Sequence, residues 1–319
     1  MKMSRCKLAL LIVIVLIFVG GCAQTSPPTI APTNGYQVTD CKGNVLTLPR
    51  KPQRIVSLNI ATDEILLELV AASRIAALTY LAEEPGISNV VEAARQVPTK
   101  IRANAEIIIA LQPDLVLTPD WQPAELAQGL RDAGLTVYVF QGAKSIADVR
   151  QTIRDIAQVV GEPEQGDKII VRMNEALQAV NEKVKNIPEA ERPIVARVST
   201  MGGSGGAGTS FDDICRHAGV RNAGVLAGIN ATATLTQEQL LQIDPDLFLL
   251  PTWDVSAKTD MKRLREEIEQ DPSLQTVKAV KNHQMIQIPD RYLFCTSQYI
   301  AKGVQQLAAA AYPQRFKLD

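Results

Sequence analysis

Two periods of apolar residues alternate along this chain. Short, continuous apolar runs at residues 54–58, 75–78, 115–117 and 137–140 read as strands buried on both faces. Between them, residues 62–70, 104–111, 125–133 and 145–160 space apolar side chains three and four apart, the helical period. Thr62 is expected to cap its helix, with Asp63 and Glu64 suiting the positive end. Gly134 ends one later helix, and Gly161 with Pro163 ends another. Strands alternating with helices predict a parallel sheet with helices on its faces.

A longer helical run follows at residues 164–185. It holds no proline and a single glycine, Gly166, near its start. Ile169, Ile170, Met173, Ala176, Leu177 and Val180 make its apolar face. About 22 residues at 1.5 Å each span roughly 33 Å. That length suits a strut between two lobes, although a helix packed on one sheet would show the same face. The alternation then restarts, with strands expected at 194–198, 247–250 and 284–288. Helices are expected at 212–218, 238–243, 261–269 and 297–312. The predicted fold class is α/β, two lobes with central parallel sheets joined by one long rigid helix.

The restart repeats sequence as well as pattern. Residues 106–115 align with 238–247 at a constant offset of 132, including Pro113-Asp114-Leu115 on Pro245-Asp246-Leu247. The register continues without a gap, so that Pro119 matches Pro251 and Trp121 matches Trp253, the two tryptophans of the chain. The lobes read as copies of one unit.

The amino end changes the picture from fold to location. Lys2, Arg5 and Lys7 precede an apolar run at residues 8–19, too short to span a bilayer comfortably and typical of a secretory signal. Val19-Gly20-Gly21-Cys22 resembles the bacterial lipobox, which implies lipidation of Cys22. A stretch rich in Thr, Pro and Ser then reads as a tether. The expected organisation is a signal at 1–21, a lipidated tether at 22–37, an N-terminal lobe at 38–162, the bridging helix at 163–187 and a C-terminal lobe at 188–319. The expected location is outside the cytoplasm, lipid-anchored at the membrane.

Composition narrows the function classes. A hydrophobic fraction of 46% supplies a packed core, and a net charge of −1 with no basic block beyond the signal excludes nucleic-acid binding. Cys41, Cys215 and Cys295 remain after Cys22. Either Cys215 pairs with Cys295, or all three are buried thiols. Two histidines, His217 and His283, are too few for a bare transition-metal site of several imidazoles. A Gly-x-Ser-x-Gly elbow is absent, which argues against an extracellular hydrolase built around Ser204.

Ligands of open α/β sheets bind at the carboxyl ends of strands. Trp121 and Trp253 follow equivalent strands, and both rings either line a cleft between the lobes or belong to the cores. Residues 201–209, with five glycines after the first strand of the second lobe, allow close backbone approach to something, an anion or nothing but solvent.

These residues resemble a known family, the periplasmic-binding proteins for iron–siderophores, haem and cobalamin. The resemblance runs from about residue 38 to 312. It is carried by Pro52-Gln53-Arg54-Ile55-Val56-Ser57-Leu58 with Thr62-Asp63-Glu64-Ile65, by residues 105–117, by Ala218-Gly219-Val220-Arg221-Asn222, and by Leu235-Thr236-Gln237-Glu238 through Pro245-Asp246. It implies capture of a metal chelate between the lobes and delivery to an ABC permease with its ATPase. It implies no catalytic residue and no cofactor beyond the iron or cobalt of the ligand, and a monomer is expected. By analogy, cleft residues are Asn59, Tyr80, Trp121, Gly202, Ser204, Thr209, Trp253, Arg291 and Tyr292. Glu106 and Glu238, one per repeat, would dock onto permease arginines. A lipoprotein adaptor without a small ligand is the alternative.

Overall fold

The computed structural model describes residues 35–200, 203–254 and 256–316, which lie in one compact unit. An antiparallel hairpin, β1 (Tyr36–Thr39) with β2 (Val45–Leu48), opens it. Then β3 (Ile55–Ser57), β4 (Ile75–Thr79), β5 (Lys100–Ile101), β6 (Leu115–Pro119) and β7 (Val137–Phe140) form a five-stranded sheet in the order β5-β4-β3-β6-β7. All its pairings are parallel. The second sheet has β8 (Ile194–Arg197), β9 (Arg221–Asn222), β10 (Leu247–Leu250) and β11 (Met285–Gln287), again parallel, in the order β11-β10-β8-β9. The predicted class, two parallel α/β sheets with a long helix between them in sequence, is what the structure shows. β5 and β9 escape a sequence reading because two residues show no period.

The internal repeat is also conformational. Gln112 and Asp244, 132 positions apart, both adopt positive φ, at 47° and 52°. Two residues on, Asp114 accepts from the backbone N–H groups of Gln53 (2.7 Å) and Arg54 (2.8 Å). Its counterpart Asp246 accepts from Ile194 N–H at 2.8 Å. In each copy a carboxylate secures the entry of the neighbouring strand.

Residues Pro163–Val184 form one helix of 22 residues, with proline in its first turn, where a missing N–H costs nothing. It buries Ile169, Ile170, Met173, Leu177, Val180 and Val184. Each such side chain contributes about 1.5–3 kcal/mol on leaving water. Gly166 lets this helix approach its predecessor closely, since a Cβ there would lie 2.5 Å from that of Ala157. The apolar cluster around it runs unbroken from Ile55, Leu115 and Ile153 of the first half to Val195, Phe211 and Leu249 of the second.

Two local expectations are corrected. Asn59, not Thr62, caps the helix Ile60–Leu69, its Oδ1 accepting from Ala61 N–H at 2.8 Å. Thr62 sits inside that helix and bonds the Asn59 carbonyl and Ser57. Cys215 and Cys295 are buried, separate thiols, while Cys41 is an exposed one, so neither cysteine reading holds in full.

Candidate ligand-binding cleft

The carboxyl ends of the strands converge as α/β chemistry requires. Tyr80 follows β4, Trp121 follows β6 and Trp253 follows β10. A cavity of about 710 Å³ is lined from the first half by Tyr80, Glu84 and Arg102, and from the second by Trp253 and Asp254. A hollow of about 280 Å³ adjoins it, sharing Tyr80 and Arg102 and adding Asn59 and Trp121. A third, of about 390 Å³, shares Asn59 and Trp121 and reaches Lys144 and Thr296. Four of the expected cleft residues are thus brought together: Asn59, Tyr80, Trp121 and Trp253.

The two tryptophans differ. Trp121 leaves 63% of its surface exposed. Trp253 is partly buried and lies on Gly86, and Asp290 receives the N–H groups of Thr252 (2.7 Å) and Trp253 (2.9 Å), fixing that turn. Asp254 is held well below the usual carboxylate range by the Ser256 hydroxyl and N–H and by Thr259, donors of its own turn.

Arg102 was not anticipated. It follows a strand too short to read, and its guanidinium lies 3.6 Å from the centre of the Tyr80 ring, within the range of a cation–π stack. A second unanticipated arginine, Arg197, ends β8. It is buried beside the rings of Phe294 (3.9 Å) and Phe211 (5.1 Å), and burial pulls its guanidinium down to about 10. The signal for Arg197 was a charge inside an apolar run.

The acids at the start of the Ile60–Leu69 helix do more than suit its dipole. Asp63 is fully buried and accepts from Thr79 N–H (3.1 Å) and Thr79 Oγ1 (2.5 Å); burial pushes its carboxyl up to about 7. Glu64 accepts from Asn89 N–H (2.8 Å) and reaches Ser297 Oγ and Cys295 Sγ of the second half. Burial raises its carboxyl too. Gln298 donates to the Glu64 carbonyl at 3.0 Å, and Asp213 of the second half accepts from Ile146 N–H at 2.6 Å. Polar bonds between distant segments therefore join the halves beside the apolar core.

The other expected residues lie elsewhere. Gly202 and Cys22 fall outside the described residues. Ser204 is buried and accepts from Leu235 N–H at 3.1 Å, while Thr209 caps the helix Ser210–Ala218. The glycines of that loop approach the chain itself: a Cβ on Gly203 would lie 2.3 Å from the Ala231 carbonyl oxygen, and one on Gly206 2.0 Å from that of Ile229. Gly203 and Gly206 thus make their close approach to residues 229–231 of the chain itself. Arg291 and Tyr292 pack beside one another and line none of the three cavities. Glu106 and Glu238 stand exposed on the short helices Ala105–Ala110 and Gln237–Ile243. Burial lowers the pKa of His217, and Asp213 opposes that shift; His283 is exposed. Among the described residues, no three His, Cys, Asp or Glu side chains cluster as a metal site, and no helix is long and apolar enough to cross a membrane.

Comparison with known proteins agrees with this architecture. Residues 55–292 match the family model described as periplasmic binding protein. An uncharacterised ABC transporter substrate-binding lipoprotein of Bacillus subtilis, YvrC, is 26% identical over 88% of this chain and 86% of its own length. A cobalamin-binding protein of Halobacterium salinarum is 27% identical over 65% of this chain and 56% of its own length. Among solved structures, the molybdate-bound MolA of Haemophilus influenzae superposes with a TM-score of 0.75 at 20% identity, covering 88% of this chain and 93% of its own. The haem-binding protein RhuT of Roseiflexus gives a TM-score of 0.70 at 22% identity, over 83% of this chain and 99% of its own. With matched residues over most of its length and both lobes superposed, the chain belongs to the periplasmic binding protein family.

Proposed function

We propose that this chain is the extracytoplasmic solute-binding component of an ABC importer, tethered to the membrane by a lipid on Cys22. It captures a metal chelate, a ferric siderophore, haem or cobalamin, between its lobes and delivers it to the permease as a monomer. The observation that carries this reading is the cavity of about 710 Å³, which gathers Tyr80 and Arg102 from one half and Trp253 from the other. Its size falls in the range of small-molecule sites. Aromatic faces offer large stacking area with few polar demands, as a flat chelate ring requires. Glu106 and Glu238 support docking, since equivalent acids on equivalent helices suit a partner with two equivalent basic sockets.

The test is thermal melting of residues 23–319 against cobalamin, haem, several ferric siderophores and molybdate. A ligand at 100 times its dissociation constant adds about 2.7 kcal/mol. A shift with one chelate names the cargo. A shift with molybdate alone replaces the chelate by an oxyanion, and no shift at all favours the adaptor.

A further inference from the structure

We infer that the cleft selects a ligand carrying an anionic oxygen pair, a carboxylate or a phosphodiester, and that Arg102 is the residue that reads it. This rests on the capture function proposed above. Four acids line the cavities, and each is engaged by its own chain. Glu83 pairs with Lys100 at 2.8 Å, and Glu84 accepts from Gly86 N–H at 3.3 Å. Asp120 accepts from Gly142 N–H at 3.0 Å, and Asp254 is saturated by its turn. Arg102, by contrast, forms no ion pair and donates no hydrogen bond to any described residue. Its one recorded partner is the face of Tyr80. A guanidinium lying on a ring keeps its N–H edges in plane and free, the arrangement that binds two oxygens at once.

Position supports the same assignment. Arg102 lines both the large cavity and the adjoining hollow, and in the hollow it is the charged residue among Asn59, Thr79, Tyr80, Trp121, Gln122 and apolar neighbours. Its side chain is exposed, open to an incoming ligand. The arginine is not part of the repeat, since Thr234 stands at the corresponding position of the second copy, 132 residues on.

Paired ligands that differ in the anionic group test the assignment. They are haem against haem dimethyl ester, cobalamin against cobinamide (which lacks the phosphodiester together with its ribose and base, so that only the part of the preference lost in Arg102→Gln reports the anion), and a ferric chelate with free carboxylates against its neutral amide. Each is titrated by tryptophan fluorescence into the wild-type domain, Arg102→Gln and Arg102→Lys. For any pair that binds, the wild type is expected to hold the anionic member about tenfold tighter or more. Arg102→Gln removes the anion's share of that preference and Arg102→Lys retains part of it. Which pair responds tells carboxylate from phosphodiester. Melting temperatures without ligand stay within about 2 °C of wild type, since no protein hydrogen bond is lost. Equal affinities within every bound pair, or a preference that survives undiminished in Arg102→Gln, overturn the assignment and leave capture standing. No binding by any member overturns the chelate reading and this assignment together.

Discussion

Trp253 packs so closely on Gly86 that a Cβ added to the glycine would meet the indole Cδ1 at 2.0 Å. A residue of the second half thus rests on backbone of the first, at the rim of the cavity that Trp253 lines. Gly86→Ala is expected to displace the ring. Ligand affinity should fall about tenfold while stability changes by about 1–2 kcal/mol. Fluorescence titration alongside urea unfolding separates the two, and an unchanged affinity would show that the ring position does not matter to the ligand.

Asp63 predicts a pH dependence of opposite sign to an ordinary paired carboxylate. Its folded pKa is raised to about 7 by burial. The stability it contributes is therefore complete below the unfolded value near 3.9 and is lost as pH rises through about 7. Glu64 shifts in the same direction. Melting at pH 5.5 and pH 8 should differ by about 2 kcal/mol more in the wild type than in Asp63→Asn. Equal pH profiles for the two proteins would count against a proton on Asp63.

The paired aspartates of the repeat differ in how much they hold. Asp114 receives two backbone N–H groups and Asp246 one from β8. Asp114→Ala is expected to cost about 2 kcal/mol and Asp246→Ala about 1 kcal/mol. Denaturant unfolding checks both the sizes and their order.

Docking and capture should separate by mutation. Glu106 and Glu238 are exposed and line none of the three cavities. Glu106→Ala and Glu238→Ala are each expected to leave ligand affinity within about twofold, and to lower uptake by cells several-fold, with the double variant worse. Normal uptake by the double variant would remove these residues from the permease interface.

The thiols make a simpler case. Cys215 and Cys295 are buried with pKa values raised by burial, and Cys41 is exposed. In residues 23–319, a thiol reagent should modify Cys41 in the native protein and the other two only on unfolding. Rapid native labelling of all three would contradict the burial.

The repeat, the bridging helix and the strand-end tryptophans were legible because they are local patterns or direct self-similarity. The role of Glu64 was not: its partners Asn89, Cys295 and Ser297 lie up to 233 residues away, and no period along a helix announces a bond across the molecule. Arg102 escaped because β5 has two residues and leaves no strand to count from. The glycines at 203 and 206 were read correctly as permitting close approach. Only the fold could say that the approaching group is their own chain.

The apolar cluster threading both sheets through the helix Pro163–Val184 limits how the protein can announce its cargo. Separating the halves widely would strip methyl groups from a shared interior, so a loaded and an empty molecule must keep nearly the same outline. Occupancy then has to be sensed locally, by side chains along the rim of the cleft. Heat and denaturant, for the same reason, should dismantle both halves in one transition.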